Sequence, residues 1–107
     1  MNADILNKGC VESGRDAVIA KFEKRFNCNP DFVSIAPGRV NLIGGHVDYN
    51  RGLVLPMAVD RHTFIAGAKG EEAGILTVHS IRENESFVVD LACPMSPAQP
   101  NWTNYVR

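Results

Sequence analysis

Apolar residues first return at helical spacing. Val11, Val18, Phe22 and Phe26 fall on one stripe, with Ala17 and Ile19 beside it and Arg15, Glu23, Lys24 and Arg25 elsewhere around the surface. Ser13 followed by Asp16 is an N-cap signal, and Asn-Cys-Asn-Pro ends the pattern, because Pro30 cannot continue a helix and biases Asn29 toward an extended form. The spacing predicts a helix over 13–26. The period then shortens. Phe32, Val33 and Ile35 read as a short strand, and Pro37-Gly38 turns the chain into a second apolar run over 40–43. A polar, Gly-rich stretch intervenes before residues 53–59 become apolar again, and residues 63–68 read as a buried strand. Leu76 and Val78 alternate with Thr77 and His79, and Phe87, Val89 and Leu91 alternate with Ser86, Val88 and Asp90. With Arg-Glu-Asn-Glu between them, those runs predict a hairpin. Pro94, Pro97 and Pro100 mark an extended connection, and a structured segment restarts at Trp102. The expectation is an α+β fold: one helix packed on a mixed or antiparallel sheet of about five or six strands.

Length and composition narrow the class. The 107 residues suffice for one domain with a modest core, and the chain breaks off at Asn-Tyr-Val-Arg where an element is starting, which leads us to expect a single incomplete domain over 1–107. Eleven basic and twelve acidic residues leave a formal net charge of −1, which offers no electrostatic reason to expect nucleic acid or an anionic membrane as partner. No apolar run approaches the length of a membrane span. Cys10, Cys28 and Cys93 are odd in number, widely spaced and without a Cys-x-x-Cys pair, and residues 1–30 lack the secretory pattern. A reduced, cytoplasmic setting with free thiols is the expectation. An incomplete domain should also leave a sheet face or edge uncovered, from which self-association is expected.

The candidate chemistry is concentrated between two apolar runs. Residues 36–57 read Ala-Pro-Gly-Arg-Val-Asn-Leu-Ile-Gly-Gly-His-Val-Asp-Tyr-Asn-Arg-Gly-Leu-Val-Leu-Pro-Met. An apolar strand that breaks into polar and Gly residues and then returns makes the edge of a pocket. An ionised Asp accepts two hydroxyl protons at once, which suits Asp48 to a vicinal diol. Arg39 carries a permanent charge beside the Gly turn, suited to a hydroxyl becoming a nucleophile or to phosphoryl oxygens gathering charge. His46 donates or accepts at neutral pH, and Gly38, Gly44 and Gly45 allow close backbone approach. The residues alone leave a plainer alternative open: Arg39 pairing with Asp48 at the surface, and Asp-Tyr-Asn-Arg-Gly as a hairpin turn. The run is neither Gly-x-x-x-x-Gly-Lys-Ser/Thr nor Gly-x-Gly-x-x-Gly. His62 and His79 lie in strand contexts without ligand-spaced partners and read as structural, so no metal site is expected. Glu71-Glu72 and Glu83-Asn-Glu85 read as solvated turns.

From Gly38 to Met57 the chain closely resembles the signature of galactokinases, in the GHMP small-molecule kinase superfamily: Gly-Arg-x-Asn-Leu-Ile-Gly-Glu-His-x-Asp-Tyr, then an Asn-x-Gly-x-Val-Leu-Pro-like run. One functional position differs, Gly45 standing where the family has Glu. Ser-Ile-Ala-Pro upstream, the hairpin region and the final Trp-x-Asn-Tyr-Val-Arg resemble the family in the same order. The resemblance implies the N-terminal part of the GHMP-kinase fold. It also implies an enzyme that moves the γ-phosphoryl group of ATP, with Mg²⁺, to the anomeric hydroxyl of galactose. On that likeness Arg39 lies near the anomeric hydroxyl and the incoming phosphate, Asp48 binds hydroxyls on the far side of the ring, and His46 lines the pocket. Gly45 removes a carboxylate from the C6 end. The sugar is then galactose with that contact replaced, or a C6 variant such as arabinose or galacturonate. The family's phosphate loop, Pro-x-x-x-Gly-Leu-Ser-Ser-Ser-like, and the catalytic Asp that follows it do not occur in these residues. They are expected beyond Arg107, so the 107 residues alone are expected to phosphorylate nothing. A non-catalytic sugar-sensing or regulatory module is the alternative of another class.

Overall fold

The structure is a computed structural model, described over residues 3–45, 50–94 and 96–106. Its elements are a helix, four strands and a short 3-10 helix, in two compact units, Met1–Ala68 and Lys69–Arg107.

The first unit opens with α1 (Ala3–Phe26). It starts ten residues earlier than the cap signal at Ser13 suggested (Ala3 against Ser13). Ser13 is an exposed interior position of the helix, where a serine costs only a few tenths of a kcal/mol, about 0.5 relative to alanine. The C-terminus falls where the sequence placed it. Asn27 adopts a left-handed φ of 55°, and its N–H donates to the Glu23 carbonyl at 2.8 Å. Lys24 and Arg25 in the last turn oppose the negative end of the helix dipole. The expected stripe is present: Val18 is buried, and Val11, Phe22 and Phe26 are half-buried, with Phe22 and Phe26 in ring contact at 4.8 Å.

Strands β1 (Phe32–Ile43) and β2 (Leu55–Gly67) form one antiparallel ribbon against which α1 packs. Four separate apolar runs in the sequence are thus two long strands. The interruptions are bulges. Register shifts between Pro37 and Gly38 and between Asn41 and Ile43, so the ladder bends without ending. Pro37 has no N–H to give to a ladder, which makes this the expected place for the first break. Phe64 of β2 meets the helix at Gly14, and Val33 and Ile35 of β1 with His62, Phe64 and Ala66 of β2 are half-buried.

The second unit is the predicted hairpin. β3 (Ile75–Ser80) pairs antiparallel with β4 (Glu85–Asp90), from Ile75 opposite Asp90 to Ser80 opposite Glu85. Asn84 takes φ 53° in the turn, a conformation that suits Asn. A 3-10 helix (Asn101–Tyr105) follows the proline-rich connection. Trp102 meets Phe87 edge-on at 5.1 Å and donates its indole N–H to Glu85 Oε2 at 3.0 Å. Thr103 is fully buried, its hydroxyl donating to the Pro100 carbonyl at 2.9 Å.

The α+β class therefore stands. The single sheet of five or six strands does not: the described residues hold four strands in two separate two-stranded sheets. Bulges merge runs that read as separate strands, and a two-stranded ribbon has little interior. Val18 and Val89 are the buried hydrophobic residues among those described, while Phe32, Leu42, Ile43, Leu55 and Ile65 are more than half exposed. No described helix is long and apolar enough to cross a membrane.

Candidate functional site

β1 brings Arg39 to the rim of an open concavity lined by Pro37, Gly38 and Arg39 on one strand and Pro56, Met57 and Ala58 on the other. Arg39 stands opposite Ala58 in the ladder, with Gly38 opposite Val59 and Val40 opposite Met57. The arginine is exposed and forms no ion pair with any described residue. Its neighbours in the concavity are small or apolar, so among the described residues that line it the guanidinium is the one charged group. Such a group fits an oxygen-rich ligand or a phosphoryl group.

Past the last paired residues, Ile43 opposite Leu55, the chain enters the loop that carries the other candidates. Gly44 takes φ 93°, a left-handed value that a larger residue adopts only with strain. Gly45 differs. Its φ lies outside the left-handed region, it is exposed, and a Cβ built on it would meet no atom of the described residues within 4 Å. Neither its φ nor any described neighbour demands glycine at that position. His46 and Asp48 lie outside the described residues. Arg51, on the returning limb, takes φ 61°.

The remaining candidates sort differently. His62 is half-buried, its Nδ1 3.9 Å from Asp60 Oδ1 and its ring 6.2 Å from that of Phe64. His79 Nδ1 lies 2.9 Å from the Ser86 hydroxyl across the hairpin. Among the described residues no three of His, Cys, Asp and Glu come together as a metal-holding group. Sequence reasoning missed Pro56 and Ala58 as lining residues and missed the bulge residues Asp60 and Arg61. The available signal is the Pro-Gly pair, which marks a break in one continuous ladder rather than a turn between strands.

Comparison with known proteins falls on this same stretch. The family described as the galactokinase galactose-binding signature matches residues 20–69, from the second half of α1 to the end of the ribbon. A galactokinase of Chloroflexus aggregans is 42% identical over 90 residues, covering 84% of this chain and 23% of the relative. A human galactokinase is 39% identical over 93 residues, covering 80% of this chain and 24% of the relative. A galactokinase of Pasteurella multocida is 40% identical over 88 residues, covering 80% and 22%. The chain thus spans about a quarter of the length of the curated relatives it matches.

Proposed function

Since this chain carries the galactokinase galactose-binding signature, we propose that it is the sugar-binding portion of a galactokinase-like enzyme, which phosphorylates the anomeric hydroxyl of galactose with ATP and Mg²⁺. The observation that carries the reading is the coincidence of three things on one ribbon: the signature, the exposed Arg39 and the concavity beside it.

Arg39 steadies the anomeric oxygen as it becomes a nucleophile and receives the charge of the incoming phosphoryl group. Asp48 accepts protons from a pair of ring hydroxyls, and His46 lines the pocket. ATP with Mg²⁺ supplies the phosphoryl group in the parent enzyme. The residues of this chain offer no Gly-Lys-Ser/Thr loop for its phosphates. These 107 residues are a sugar-binding part of an incomplete domain, in a cytoplasmic enzyme of the GHMP-kinase fold, and are inactive by themselves.

Gly45 favours a second reading of the substrate. Without a carboxylate at the C6 end, a charged hydrogen bond of about 1.5–3 kcal/mol is lost to galactose, roughly tenfold to hundredfold in affinity. A pentose such as arabinose loses nothing there, and a galacturonate escapes repulsion. Calorimetric titration of the chain with galactose, arabinose and galacturonate in parallel tests both readings. Binding of galactose that Asp48→Ala abolishes supports the first, and stronger binding of either other sugar replaces it with the second. Sugar-phosphate formation from ATP by the purified chain would overturn the assignment of a binding portion only.

A further inference from the structure

Where the ribbon carries the concavity, two of its side chains can form hydrogen bonds. Residues 38–42 of β1 and 55–59 of β2 are glycine, alanine, proline, valine, leucine and methionine, apart from Arg39 and Asn41. The ladder between those two is regular: Arg39 stands opposite Ala58, Val40 opposite Met57 and Asn41 opposite Pro56. Side chains alternate along a strand, so Arg39 and Asn41 share one side with Ala58 and Pro56, while Val40 and Met57 take the other. The two polar groups thus stand at successive positions of one side, about 7 Å apart along the strand. The regular stretch ends just past them, where the register shifts between Asn41 and Ile43 and Leu42 is the extra residue on β1.

Strand formation does not ask for asparagine at position 41, since Asn is depleted in strands. Pro56 opposite it, which lines the concavity, offers neither a polar side chain nor an N–H. Asn41 is exposed, and its carboxamide makes no hydrogen bond to any described residue. It is therefore open to a ligand that Arg39 already meets. The two groups also differ in kind. A guanidinium only donates, whereas a carboxamide has one accepting oxygen and two donating N–H groups.

We propose that Asn41 is a further substrate-binding residue, which holds the C2 hydroxyl of the sugar beside the anomeric hydroxyl that Arg39 steadies. This rests on the sugar-binding reading above. The anomeric carbon has two neighbours in the ring, the ring oxygen and C2. The ring oxygen can only accept, and would use half of what a carboxamide offers. A hydroxyl donates and accepts, as the carboxamide does, so the C2 hydroxyl is the better match. Two contacts one step apart on the ring fix the direction of the anomeric oxygen, which a single charged contact leaves free to pivot. Galactose, arabinose and galacturonate all carry a C2 hydroxyl, so the assignment does not depend on what stands at C6.

The test is calorimetric titration of the whole chain with whichever of those three sugars it binds most tightly, and with the 2-deoxy form of that sugar. Asn41→Ala should weaken the parent sugar roughly threefold to tenfold, the loss of one neutral hydrogen bond. It should leave the 2-deoxy sugar's affinity unchanged, because that sugar lacks the group, and leave the urea midpoint unchanged as well. Equal affinity of the variant and the unaltered chain for the parent sugar overturns the proposal, and so does an equal loss for both sugars. If the variant does not fold, the unaltered chain decides: the side-chain amide signal of Asn41 in a ¹⁵N NMR spectrum should move as the parent sugar saturates, and a signal that stays in place overturns the proposal. Binding that Asp48→Ala abolishes and Asn41→Ala leaves untouched removes this assignment alone. An unaltered chain that binds none of the three sugars refutes the sugar-binding reading, and the assignment with it.

Discussion

The ring of Phe64 occupies the space that a side chain at Gly14 would need. A Cβ built on Gly14 would overlap Cζ and both Cε atoms of that ring, so the middle of α1 approaches β2 as closely as it does because residue 14 has no side chain. A glycine inside a helix costs about 1 kcal/mol relative to alanine, and the close approach of helix to sheet offsets it.

Gly14→Ala should therefore destabilise the chain despite its better helix propensity. Forcing a methyl into a filled site costs about 1–3 kcal/mol, which exceeds the roughly 1 kcal/mol that alanine returns. Urea denaturation followed by far-UV circular dichroism checks the sign. Pairing it with Phe64→Leu should recover part of the loss, since the overlapping ring is gone.

Gly44 and Gly45 should respond in opposite ways. Gly44→Ala meets a φ of 93° and should lower stability by about 1 kcal/mol or more, by the strain of a left-handed backbone. Gly45→Glu meets no described atom within 4 Å of its Cβ and a φ outside the left-handed region, and should leave the denaturation midpoint unchanged. If galactose is the sugar, that glutamate should also tighten its binding by roughly tenfold to hundredfold. Calorimetry with galactose and galacturonate, before and after the change, separates the two sugars.

Arg39→Ala should abolish sugar binding with a stability change within about 0.5 kcal/mol, as for surface positions that hold no partner. Arg39→Lys should restore little of it, because a point charge does not reproduce the planar fork of the guanidinium. Titration with galactose beside a denaturation curve for each variant reads both quantities.

Trp102, the sole tryptophan, reports on the second unit. Its indole N–H is held by Glu85 and its ring stands edge-to-face with that of Phe87 at 5.1 Å. Glu85→Ala should cost about 0.5–1.5 kcal/mol of that unit's stability, the net worth of one hydrogen bond, and shift the fluorescence emission to the red as the indole is wetted. Phe87→Ala should do more on both counts.

Much of this was legible along the chain. The stripe Val11, Val18, Phe22 and Phe26, the stop at Asn27, the hairpin around Asn84 and the position of the signature loop all follow from local rules: side-chain period, backbone preference at Asn and Pro, and alternation on a strand. The start of α1 was not, because a serine that can cap a helix can also sit inside one.

Arg39 marks the division most clearly. The residue sequence determined that a permanent charge stands beside a Pro-Gly pair on an apolar strand, and that its neighbours match a sugar-binding signature. That it stands opposite Ala58 rather than Asp60 depended on which residue of β2 it meets. Register is a relation between segments far apart in the chain, and the two unpaired residues Asp60 and Arg61 change which residue of β2 each residue of β1 meets. For the same reason only the fold shows that Phe64 stands against Gly14. Local preference names the pieces, and long-range packing decides which surfaces they show.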